Sequence, residues 1–199
     1  MPTRTIRRSF RAATAVLAVM AGLVLPAPAA TAAGGLRFEE FKCYMASAED
    51  GDDSPYFVVF VGRPDGTNMT TRVRKSWWDD NVDTGYVSKP QHLVTSYAPV
   101  DSLVVVTLVE EDVNPDLGQS EIDSLAFAMN NYWQAYRHAD KAYTSEKMRK
   151  AMSASLDARL ANDDFIGTDS EWVTTQSGWL PRLEFDDHSS LYRAWLRMA

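Results

Sequence analysis

Three stretches of this sequence crowd carboxylates against the end of an apolar run. "EDGDDSPYFVVFVG" sets Glu49, Asp50, Asp52 and Asp53 ahead of Tyr56–Gly62. "LVVVTLVEED" carries Glu110, Glu111 and Asp112 directly behind Leu103–Val109. "DDFIG" places Asp163 and Asp164 just before Phe165, Ile166 and Gly167. If these ends meet, several carboxylates face one another, and folding carries the cost of their repulsion unless they take up protons or a cation binds. A hard cation that takes about six to eight oxygens suits such a cage, which points to calcium. The competing reading is plain: the acids are separate, solvated loop residues that hold no metal.

The elements that must position these acids are legible from periodicity. Leu36–Met45 partly alternates and reads as a strand, with Cys43 as buried packing, and Tyr56–Gly62 is a second strand by its β-branched and aromatic content. Asp65-Gly66 suits a hairpin turn, after which Met69–Trp77 alternates as the returning strand. Asp79–Pro90 reads as a long polar loop, Gln91–Tyr97 as a short strand, and Leu103–Val109 as a central strand. The period then changes. Ile122, Leu125, Ala126, Met129, Trp133 and Tyr136 fall at helical spacing, and Met148, Met152, Leu156 and Leu160 line a second helix from about Thr144. His138–Tyr143 is the turn of an αα-hairpin. Strand character returns after Asn162, and Tyr192, Ala194, Leu196 and Met198 alternate in a closing strand, with an amphipathic helix from Ser190 as the competing reading. The expected fold is mainly β, an antiparallel β-sandwich with an inserted αα-hairpin.

Residues 1–33 stand apart from this pattern. A basic start at Arg4, Arg7, Arg8 and Arg11, an apolar core from Ala12 to Leu25 and small residues up to Ala33 read as a cleaved secretory signal peptide. Arg7-Arg8 with Ser9-Phe10 resembles a twin-arginine signal but departs from it at Ile6, so the export route stays open. Residues 34–199 are expected to form the domain, with 113–162 as the helical insertion. The whole chain has formal net charge −7, and the signal holds four Arg and no acid, which leaves −11 on the remainder. So acidic a domain is a poor partner for nucleic acid. Cys43 is the single cysteine, which excludes an internal disulfide. No later segment reads as a membrane span.

Taken together, the acidic motifs resemble the C2 domain family of calcium- and lipid-binding β-sandwiches. "DGDDSPYFVVFVG" is similar to the segment in which Asp-Pro-Tyr follows the first calcium loop. "LVVVTLVEEDV" is similar to the strand ending in Asp-x-Asp, and "DDFIG" to the close of the third loop. The three come in the family's order and span most of Leu36–Ala199. By position the resemblance implies calcium ligands at Asp50, Asp53, Glu110, Asp112 and Asp164. Three departures stand out. Ser54 displaces the acid from Pro55-Tyr56 by one residue, the first loop is short, and the third loop is opened by the helical hairpin.

The remaining motifs are weighed against simpler readings. "DDHSS" (Asp186–Ser190) holds Asp, His and Ser together, but a catalytic triad is defined by geometry, and turn composition explains it better. "HAD" (His138–Asp140) lacks the companion ligands a transition metal needs. Trp77-Trp78 could line a sugar or peptide surface, whereas strand alternation would bury one ring of the two. The reading is a secreted, non-enzymatic, calcium-binding module that recognises a protein or surface partner, with calcium-dependent membrane contact the lesser expectation. The alternative is a metal-independent interaction or inhibitor protein acting through the helical hairpin.

Overall fold

The two most apolar runs become the central strands of one sheet and pair antiparallel along their whole length, from Pro55 opposite Glu110 to Gly62 opposite Leu103. A computed structural model describes residues 34–46, 54–73, 82–111, 117–160, 163–175, 178 and 181–198. In chain order the elements are β1 (Leu36–Met45), β2 (Pro55–Gly62), β3 (Asn68–Val73), β4 (Val87–Ser88), β5 (His92–Thr95), β6 (Leu103–Glu110), α1 (Gln119–Tyr136), α2 (Lys141–Asp157), β7 (Asp164–Trp172), β8 (Arg182–Asp186) and β9 (Leu191–Met198). Sheet 1 runs β4-β1-β9-β8, with β5 also paired to β1, and sheet 2 runs β3-β2-β6-β7. Every pairing is antiparallel. The protein is therefore a mainly β sandwich carrying two helices.

Alternation along the strands sorts side chains between two cores. Phe57, Val59 and Val61 of β2 meet Val104, Val106 and Leu108 of β6 and the inner residues of sheet 1. There the ring of Phe57 stacks on Phe38 at 4.5 Å and meets Phe41 edge-on at 5.4 Å. Each such fully buried apolar side chain contributes about 1.5–3 kcal/mol. Cys43 lies buried in this core and forms no disulfide.

The other faces of β2 and β6, carrying Tyr56, Val58, Phe60, Leu103, Val105 and Val109, pack against Ile122, Leu125, Met129 and Trp133 of α1 and Met148, Met152 and Leu156 of α2. The helical pair thus lies over the outer face of sheet 2 as a third layer, and not at the tip of the sandwich where a loop insertion would be expected. Covering both faces leaves every residue of β2 and β6 buried. Unbroken apolar runs are what such doubly covered strands need.

Local chemistry explains the boundaries. Gly66 takes φ 92 in the β2–β3 turn, and Asp65 Oδ1 accepts from Thr67 N at 2.9 Å and Thr67 Oγ1 at 2.7 Å. The second helix starts at Lys141, ahead of the position expected from its apolar stripe. Asp140 caps it by accepting from Ala142 N and Tyr143 N. The strand after "RPDGTN" is described only to Val73, and its expected continuation through Trp77 falls outside the described residues. Two strands, β4 and β8, went unread, being two and five residues long. No helix among the described residues is long and apolar enough to cross a membrane.

Candidate functional site

Sheet 2 brings the acid-bearing chain ends to one place. Glu110 closes β6 opposite Pro55, which opens β2, and on its other side stands opposite Asp164, which opens β7. Glu111 N donates to Ser54 O at 3.2 Å and extends this contact one residue further. Ser54, where the described chain enters β2, therefore lies at the edge where Glu110-Glu111 leaves β6 and Asp164 opens β7.

The expected ligands divide as follows. Glu110 and Asp164 are brought together as cross-strand partners, Glu110 buried and Asp164 exposed. Asp50, Asp53 and Asp112 lie outside the described residues. Among the described residues no group of three Asp, Glu, His or Cys lies close enough to hold a metal ion. What they supply is an all-oxygen donor set of the kind hard cations prefer. Glu110, Glu111, Asp163 and Asp164 are the described carboxylates at this end, and a closed site would need further acids as well.

Asp163 is the residue that sequence reasoning passed over as a ligand in favour of its neighbour. It is only 6% exposed, and its Oδ2 accepts from the Tyr56 hydroxyl at 2.8 Å across 107 residues of sequence. Burial, the bond to Asp163 and that carboxylate's charge together push the Tyr56 hydroxyl pKa well up, with Arg72 of β3 opposing. Tyr56 thus stays protonated and tethers the entry to β7. Alternation could not have separated Asp163 from Asp164, because the β6–β7 register slips between Leu108 and Val109. The usable signal was the tyrosine: a buried Tyr needs a partner for its hydroxyl.

The other motifs resolve into structure. In "DDHSS", Asp187 Oδ1 accepts from the backbone and hydroxyl of both Ser189 and Ser190 at 2.7–2.9 Å, and His188 sits at φ 78. Burial would raise the Asp187 pKa, but these bonds outweigh it and hold the carboxyl low. The motif builds the β8–β9 turn. In "HAD", Asp140 is committed to capping α2 and His138 is exposed. Trp77 and Trp78 fall outside the described residues. A groove of about 330 Å3 lies between α2 and β7, lined by Glu146, Arg149, Lys150, Ser153, Ala154 and Thr168. Its Lys150 is already paired with Glu146 at 2.6 Å.

No family model matches the sequence, and no curated protein matches it. Among solved structures the chain is similar to human GIVD cytosolic phospholipase A2, in complexes with methyl gamma-linolenyl fluorophosphonate with and without terbium chloride. Each match has a TM-score of 0.37 and 11% sequence identity, covering 82% of this chain and 16% of that one. The chain thus spans about a sixth of the phospholipase's length, and at that TM-score the likeness carries no argument about function.

Proposed function

We propose that this protein is an exported, non-enzymatic C2-like module that binds calcium at the acid-bearing end of sheet 2 and recognises a protein or surface partner. The observation that supports this reading is the register Pro55–Glu110–Asp164, which sets the start of β2, the end of β6 and the start of β7 side by side. Asp50, Asp53, Glu110, Asp112 and Asp164 are the proposed ligands, and Tyr56 tethers Asp163, the residue next to Asp164. The ion neutralises a cluster that would otherwise repel itself, and its binding is coupled to the order of the loops.

The test is a thermal melt in calcium and in chelator, beside an Asp112→Asn/Asp164→Asn variant. An ion that binds only the folded state at a hundredfold excess over Kd adds about 2.7 kcal/mol. For a chain of this size that is a rise of about 5–10 °C in Tm. The rise is expected in the wild type and lost in the variant. Absence of any shift at millimolar calcium would sink the proposal.

A second reading, metal-independent interaction through the helical hairpin, is favoured by one observation. Phe127 of α1 is 71% exposed, and Tyr132 and Tyr143 are also exposed on the helical layer. This reading expects the same Asp112→Asn/Asp164→Asn variant to be neutral or stabilised, through relieved repulsion.

A further inference from the structure

We infer that the outward face of sheet 1, on the side of the sandwich away from the helices, is a docking surface for an acidic polypeptide partner. Strand alternation builds it. Tyr192, Ala194, Leu196 and Met198 of β9 point into the core, which turns Arg193, Trp195 and Arg197 outward. The register sets Lys42 beside Arg193, Arg37 beside Arg197 and Arg182 beside Trp195. With Lys89 at the rim, six cations meet four carboxylates on this face, Glu39, Glu40, Glu184 and Asp186, whereas the chain as a whole is net −7. Lys42 and Lys89 pair with Glu40, so the face is an ion-paired surface with a small positive excess on an acidic protein, and charge complementarity favours an acidic occupant.

The arginines keep donors to spare. Arg193 Nε reaches Glu184 at 2.8 Å, and Arg182 shares the same carboxylate at 3.7 Å. Arg197 meets Glu39 at 3.4 Å through one nitrogen. Arg193 also bonds the Tyr44 side chain; a guanidinium has about five N–H donors, so these contacts still leave part of each fork for an incoming carboxylate. The cations are also held in place: Arg193 lies 4.5 Å from the Tyr44 ring and Lys42 5.2 Å from the Trp195 ring. Side chains fixed before binding lose less freedom on binding.

The composition favours a polypeptide over a lipid or glycan surface. Arg, Trp and Tyr dominate the energetic centres of protein interfaces, and exposed Val87 and Leu93 stand opposite Lys42 and Arg37 on this face. The interspersed carboxylates point the same way. A uniformly anionic bilayer or sulfated glycan would press charge onto Glu39, Glu40 and Glu184 as well. Along β9 Arg193 and Arg197 recur at about 13 Å, which acids four residues apart in an extended segment match, with the position between them facing Trp195.

The experiment is fluorescence anisotropy with a labelled peptide of about 16 residues alternating Glu and Thr. The full protein is used in chelator, so the outcome is independent of the calcium reading. The wild type is expected to bind, with affinity falling as salt is raised. Arg193→Gln/Arg197→Gln should weaken binding by about tenfold or more at unchanged Tm, and Lys42→Gln/Arg182→Gln carries the same expectation should the first pair fail to fold. Arg149→Gln/Lys150→Gln, on α2, should leave binding as it was. Absence of peptide binding, or binding retained in both face variants, overturns the inference. So does binding to phosphatidylserine vesicles or heparin but not to the peptide, which would reassign the face to a lipid or a glycan.

Discussion

Tyr56 shows how much one side chain can fix at the acid-bearing end. Its ring belongs to the core between sheet 2 and the helices, while its hydroxyl reaches Asp163 at the mouth of β7. Tyr56→Phe keeps the ring and removes the donor, leaving a buried carboxylate oxygen without that bond. The expected loss is about 1–3 kcal/mol by urea unfolding. The pH dependence has a definite sign. The folded-state pKa of Tyr56 is raised above its unfolded value of about 10. The tethered phenol therefore stabilises the fold below that pH, and the contribution is lost as pH rises further. The gap between wild type and Tyr56→Phe should narrow above about pH 10, and a constant gap would refute the role given to the hydroxyl. At this scale the sequence was half legible. The clusters themselves stood out, yet Asp164 rather than Asp163 followed from the C2 resemblance, and alternation cannot arbitrate between them across a slipped register.

The elements were more legible than the residues, because periodicity speaks about faces. The runs in β2 and β6 announced burial, and the 3.6-residue stripes of α1 and α2 announced two helices with something to cover. What alternation could not say is that these needs answer each other, since an unbroken apolar strand does not name the layer on its second face. The short strands escaped for a different reason. β8 buries only Leu183 and Phe185, too little pattern to separate from a loop. One close approach ties helix to sheet. A Cβ placed on Gly62 would sit 2.7 Å from the Trp133 ring, so glycine is what lets the indole lie flat on β2. Gly62→Ala should therefore cost about 1–3 kcal/mol in chemical denaturation, through displacement of Trp133. A shift in Trp fluorescence should accompany it. An alanine variant as stable as wild type would mean that the helical layer is free to slide.

Across the whole molecule, the helical hairpin separates strands that are neighbours in space. Thr107 and Thr168 touch through their hydroxyls at 2.7 Å across β6 and β7, yet stand 61 residues apart in the chain. The first and last strands also pair, with Arg197 meeting Glu39 across 158 residues. Between these distant pairings lies a hairpin whose own contacts are local: Thr144 Oγ1 donates to Tyr136 O eight residues away. Closing a long chain segment costs entropy that grows with its length, while a local hairpin closes quickly. A helical hairpin whose contacts are local is therefore expected to act in time as a splint: folding first, it would shorten the effective distance β7 must travel to reach β6. Stopped-flow measurements should find that Met152→Ala, in the helical core, slows refolding, whereas Leu196→Ala in β9 mainly speeds unfolding. The reverse pattern would mean that the sandwich forms first and the helices condense onto it afterwards.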